Sequence, residues 1–184
     1  TDKPGTLVVH EIEENIVMEQ PIISGVSQDL SEAKITVTAV PDRPGEAALV
    51  FETVADLGVN LDMIVQNVSA DGSTDITFTL PTADLARASE ALLSRRDEIG
   101  FGELLQDEGI AKVSLVGAGM RSHPGVSATF FRTLADSNVN VEMISTSEIR
   151  ISVVADIHHV DRTVRAGHTA FGVDSNKEYG ITGI

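Results

Sequence analysis

Two Pro-Gly turns hold the residues best placed to do chemistry. Asp42-Arg43-Pro44-Gly45-Glu46-Ala47 precedes one apolar helical stripe, and Ser122-His123-Pro124-Gly125-Val126-Ser127-Ala128 precedes another. Helices starting at Gly45–Ala47 and Gly125–Ala128 present backbone N–H groups that lack intrahelical partners, and with the helix dipole these suit an anion. Glycine matters there because a Cβ would block close approach. Asn60 and Asp62, and further on Asn140 and Glu142, stand at the starts of the following strands, expected near those turns, and offer acceptors to a cation. Each residue also has a plainer role. Asp42 and Ser122 can cap helices, Gly45 and Gly125 can be turn formers, and so can Asn60 and Asn140. Glu148 and Arg150 can form a solvated cross-strand pair, and Met63 and Met143 can be core.

Other chemistries are poorly supplied. The chain has 184 residues and no Cys, which removes disulfides, thiolate nucleophiles and Cys-type zinc sites. Gly117-Ala118-Gly119 begins like a dinucleotide loop, but Ser122 stands where the third Gly belongs. His158 and His159 are adjacent and diverge on a helix, so no metal ligation is expected. No Ser/His/Asp set has a recognisable nucleophile motif. Arg43 could begin a phosphate cradle of the acylphosphatase kind, but the rest of that motif is missing.

Charge and hydropathy narrow the partners. Lys plus Arg number 13 against 28 Asp plus Glu, a formal −15, which repels nucleic acid. No apolar run approaches the ~20 residues needed to span a bilayer, and no signal peptide is evident. The expectation is a cytoplasmic protein with neither nucleic-acid nor membrane partners.

The chain also repeats itself. Residues 44–64 and 124–144, 80 positions apart, are identical at 11 of 21 positions, including Pro44/Pro124, Gly45/Gly125, Phe51/Phe131, Asp56/Asp136, Asn60/Asn140 and Met63/Met143. Ala33-Lys34 has an echo in Ala111-Lys112. Residues 34–40 alternate like a strand. Ala47, Val50, Phe51, Val54 and Leu57 form a helical stripe that stops near Gly58. Residues 59–68 and 74–80 read as strands around an Asp71-Gly72 turn, 82–97 as a second helix, and 101–105 as a short apolar stretch. The second copy reads as strand 111–117, helix 125–137, strands 139–146 and 148–154, helix 157–170 and a last strand within 172–184.

Each copy is βαββαβ, so the expected fold is α+β: two ferredoxin-like units whose antiparallel sheets pair side by side, within a chain or across a dimer. The expected divisions are 1–30, a linker and N-terminal strand (Ile22–Val26) belonging to neither repeat; 31–107; and 108–184.

The Pro-Gly turn followed by an Asn-apolar-acidic-Met-Ile run resembles the ACT domain, a family of small-molecule sensors. SEAKITV, DRPGEAALVF, VNLDMIVQNVS, DGSTDITFTL, KVSLVGAGMRSHPGV and ISTSEIRIS together resemble the tandem ACT regulatory region of lysine-sensitive aspartate kinases, from about Pro4 to Val154. Nothing resembles the Lys-phi-Gly-Gly motif of that family's catalytic half. The resemblance therefore implies a non-catalytic regulatory subunit, or an excised regulatory region, with no cofactor. It implies a homodimer formed through the ACT units, a catalytic aspartate kinase subunit as partner, and amino acids as effectors. The alternative is a stand-alone amino-acid sensor or a structural assembly subunit.

By the same resemblance, threonine is held by Gly45, Ala47 and Gln66 of one chain and by Ala128, Asn140 and Val141 of its partner. Lysine falls to a related pocket with Asp42, Asp62, Ser127, Ser147 and Glu148, whose carboxylates suit an ε-ammonium. Ser69 and Thr77 match positions that affect feedback sensitivity. Departures from the family are a Ser69–Thr74 loop about two residues short, Ser127 in place of a more usual Thr, and the EYGITGI end.

Overall fold

Alternation sets the strands. In β2 (Glu32–Pro41), Ala33, Ile35 and Val37 point inward and are fully buried, while Lys34, Thr36 and Thr38 face the other way. The computed structural model describes residues 22–68, 72–118, 120, 123 and 125–173. After β2 come α1 (Glu46–Ala55), β3 (Ile64–Val68) and β4 (Ser73–Pro81). Then follow α2 (Leu85–Ser94), the short α3 (Arg96–Ile99) and β5 (Leu104–Asp107). They form an antiparallel sheet of order β3-β4-β2-β5 with the helices on one face. Ile35, Val37, Ile76, Phe78, Leu80, Val50, Val54, Leu85 and Leu92 make its core. Phe51 meets Phe78 edge to face at 6.0 Å.

The second unit repeats this with β6 (Ile110–Ala118), α4 (Gly125–Asp136), β7 (Met143–Thr146), β8 (Arg150–Asp156) and α5 (Val160–Phe171). The last strand expected within 172–184 falls, beyond Val173, outside the described residues. Gly172 ends α5 in the left-handed conformation, and the Val173 amide donates back to the His168 carbonyl. Among the described residues the strand beside β6 is β1 (Ile22–Asp29), antiparallel to it from Ile22 opposite Ala118 to Asp29 opposite Lys112. The sheet order is β1-β6-β8-β7. A segment expected to belong to neither repeat thus completes the second one. Ile23 and Val26 of β1 pack on the core of Val113, Leu115, Phe130, Leu134 and Val153, and α5 covers β1.

The two cores fill the same architecture differently. Val50 on α1 corresponds to Phe130 on α4, and Leu92 on α2 to Gly167 on α5. A Cβ on Gly167 would lie 3.7 Å from Phe130 Cε2 and 3.0 Å from Val26 Cγ2. The large ring therefore takes volume that a leucine occupies in the first unit, which keeps both cores densely packed.

Among the described residues the two sheets are separate and four-stranded, and no edge of one is joined to the other. The units meet instead through a small apolar cluster of Met63, Ile110, Met143 and Val154, with Val65 packed against it. Matched hydroxyl pairs cross the open sheet faces: Thr36 to Thr77 at 2.9 Å and Ser114 to Ser152 at 2.8 Å. The repeat is therefore an approximate internal two-fold at the level of single side chains.

Candidate functional site

The α1 N-terminus is the first part of the site. Gly45 is its N-cap position, at φ +104°, a conformation costly for any residue with a Cβ. No side chain caps the helix, and open space surrounds the position where a Cβ would sit. The Glu46 amide donates to the Arg43 carbonyl at 3.3 Å, and no side chain caps the first-turn amides that follow, Ala47's among them. Asp42 is not the cap; its amide donates to the Gly72 carbonyl at 3.0 Å, at the tip of the β4 hairpin. Arg43 pairs with Glu46 at 2.6 Å, so one charge pair flanks the turn. Gln66 lies exposed on edge strand β3, opposite Ile76.

The second unit's turn differs. Gly125 opens α4 with no left-handed φ, Ser127 is half-buried and Ala128 exposed on its first turn. Asn140 is exposed just before β7, and Val141 packs on the second core. Thr77, opposite Val65, spends its hydroxyl on Thr36. Ser69 and Ser122 lie outside the described residues.

Asp62 corrects an expectation. The sequence placed it near the Pro-Gly turn, but its amide donates to the Thr79 carbonyl at 3.1 Å. Strand-helix-strand crossovers make parallel strands, so the start of β3 lies at the far end of α1 from Gly45. Gly72 and Thr79 are seven residues apart on the β4 side, which separates Asp42 from Asp62 by about 23 Å at the usual strand rise. One chain alone cannot bring these two carboxylates onto a single ligand.

What surrounds Asp62 is the seam between units. Its Oδ2 accepts from Lys112 Nζ at 2.5 Å, and the same ammonium meets Glu32 and, at 3.5 Å, Asp29. The approximate two-fold repeats the arrangement: Lys34 pairs with Glu142, the counterpart of Asp62, and with Asp107 at 3.3 Å. Burial alone would lower both lysines' pKa values, but hydrogen bonds outweigh it and raise them: Lys112 from Asp62 and Glu32, Lys34 from Glu142. Asp29 is held below the usual carboxylate range, first by the Ser31 hydroxyl and then by the Ser31 amide.

Two clefts open on this seam. One of about 340 Å³ is bounded by Asp29, Ser31, Glu32, Asn60 and Asp62. The other, about 250 Å³, brings Asp62 and Met63 of the first unit against Ser145, Ser147, Arg150 and Ser152 of the second. Asp62 and Ser147, two of the expected lysine contacts, thus share one cleft within a single chain. Glu148 and Arg150 are both exposed at the β7–β8 turn, where the Ser147 amide donates to the Arg150 carbonyl at 2.7 Å. Lys34, Lys112 and Glu32 were missed as site residues, although the Ala33-Lys34 echo in Ala111-Lys112 was a visible signal.

Two covalently joined α+β units of one architecture, with the open faces of their separate sheets in contact, define the class. The ACT-domain model matches residues 35–95 and 113–171, and the chain belongs to the ACT-domain family, with two copies. It is 55% identical over 180 residues to the aspartokinase of Mycobacterium tuberculosis, covering 97% of this chain and 42% of that protein. With the aspartokinase of Corynebacterium glutamicum it shares 48% over 188 residues, covering 100% and 44%. The chain thus spans less than half the length of these relatives. Among solved structures it matches the ligand-free regulatory subunit of aspartate kinase from Thermus thermophilus with TM-score 0.78 and 41% identity, covering 82% of this chain and 99% of that one. A structure of aspartokinase alpha and beta subunits matches with TM-score 0.77 and 44% identity, again at 82% and 99%. The two units correspond to the regulatory ACT domains of aspartokinase.

Proposed function

We propose that this chain is the amino-acid-sensing regulatory part of an aspartate kinase and carries no catalytic site of its own. Threonine is the primary effector. Its carboxylate binds the uncapped first-turn amides of α1 at Gly45 and Ala47, and Gln66 contributes from the edge of the same sheet. Ala128, Asn140 and Val141 of a second copy complete the pocket, so ligand binding and dimer geometry are one equilibrium. Lysine, as co-effector, takes the carboxylate-lined pocket of Asp42, Asp62, Ser127, Ser147 and Glu148, assembled from two chains. The distance between Asp42 and Asp62 within one chain favours that two-chain assembly. The catalytic partner is an aspartate kinase subunit or domain.

The observation that carries the reading is the α1 N-terminus. No side chain caps this exposed helix start, and Gly45 stands there at φ +104° with open space around it. Effector binding that favours the inhibited dimer geometry needs only about 1–3 kcal/mol of coupling, or roughly 5–150-fold in affinity. The test is reconstitution. Purified chain is mixed with a catalytic aspartate kinase subunit, and aspartyl-phosphate formation is followed with and without threonine and lysine. Co-purification and threonine-dependent inhibition are expected. Turnover unaffected by the chain and by both amino acids would reject the reading.

A further inference from the structure

The two ends of the seam between units are not electrically equal. At one end a single ammonium, Lys34, faces two carboxylates, Glu142 and Asp107. At the other, Lys112 faces three: Asp29, Glu32 and Asp62. The extra carboxylate is Glu32, whose counterpart in the second unit is the fully buried Ile110. Lys112 and Glu32 have side chains only 11% and 10% exposed, whereas Asp62 is 49% exposed and borders both clefts. Glu32 offers Lys112 one oxygen; its Oε2 is buried with no hydrogen-bond partner. Lys112 thus has a buried anchor with unused capacity and an outer partner that solvent and ligands can reach.

We propose that Lys112 is a tethered competitor for the effector's ammonium. In the ligand-free chain it neutralises Asp62. A cationic amino acid binds Asp62 by displacing the Lys112 ammonium, which withdraws onto Glu32 Oε2 and Asp29. The inference rests on Asp62 being part of the lysine pocket. The displaced ammonium keeps carboxylate partners, so no buried charge is stranded by the exchange, which would otherwise be costly. Among the described residues Lys34 has no third carboxylate to fall back on, so its end of the seam does not exchange. Lys112 therefore sets the affinity for lysine, and its withdrawal couples a side chain of the second unit to a ligand on the first.

The test uses the full chain. Lys112→Met alone leaves Glu32 buried and unpaired, so the titrated variant is Lys112→Met with Glu32→Gln. Calorimetric titration with L-lysine is expected to give binding about two- to fivefold tighter than wild type, the range for releasing a half-exposed charge pair. Threonine affinity should not change. In parallel, wild-type chain labelled with ¹⁵N-lysine is titrated with unlabelled L-lysine and its side-chain ammonium signals are followed. The Lys112 signal should move while that of Lys34 stays. Lysine binding with an unmoved Lys112 signal, or with equal affinity in variant and wild type, overturns the exchange and leaves the pocket standing. No lysine binding by either chain overturns the pocket itself and the exchange with it.

Discussion

Replacing Phe130 with alanine should damage one unit and spare the other. Phe130 is fully buried on α4, in contact with Phe131 and Phe171 at centroid distances of 5.9 and 6.4 Å. Gly167 beside it has no side chain to fill the space left behind, and Val26 lies on an edge strand. A buried Phe→Ala change costs about 3–5 kcal/mol from lost transfer energy plus cavity. Its counterpart Val50 loses only two methyl groups, about 2 kcal/mol on the same basis. The chain has no Trp, so the assay is hydrogen exchange read by mass spectrometry on peptides from β6 and β8 against those from β2 and β4. At about 4 kcal/mol, amide protection in β6 and β8 should fall by roughly a thousandfold. Protection in β2 and β4 should hardly change, because the cores are separate and the units meet only at the seam of the Met63–Met143 cluster and the flanking Lys34 and Lys112 ion pairs. Equal losses in both units, or a loss below about tenfold in β6 and β8, would refute the picture of two separate cores.

Other outcomes follow from single positions. Gly45→Ala should destabilise the first unit by about 1 kcal/mol through its positive φ alone, while Gly125→Ala should be neutral or slightly stabilising; paired thermal melts check both. The raised pKa values of Lys34 and Lys112 mean that their contribution to stability is fully present below pH 10.5 and is lost as pH rises through the higher folded values. Melts between about pH 9 and 12 should show that loss, and Lys34→Met should remove part of it. Asp29 has the opposite sign: its contribution is present above pH 3.8 and disappears as pH falls through its lowered value, which Asp29→Asn should abolish in acid melts.

Much of this was legible in the residues. The 80-residue echo announced two copies, and the alternation at 34–40 and the stripe from Ala47 to Leu57 announced a strand and a helix in each. The partnership of β1 was not legible. Periodicity reports which face of a strand is buried, but not which sheet it joins, and the Ile22–Val26 pattern suits either. The position of Asp62 was lost for a related reason. Asp62 follows the helix closely in sequence, yet α1 carries the chain the length of the sheet before β3 begins. Lys34 and Lys112 looked like ordinary outward strand residues. Only the packing of the two open faces makes them cross-unit partners of Glu142 and Asp62.

The most direct test of the regulatory reading is calorimetric titration of the purified chain with L-threonine, wild type against Gln66→Ala. The account predicts saturable binding by the wild-type chain, lost or greatly weakened in the variant while its melting temperature is unchanged. A folded wild-type chain that releases no heat with threonine, or a Gln66→Ala chain that binds it equally well, would contradict the site.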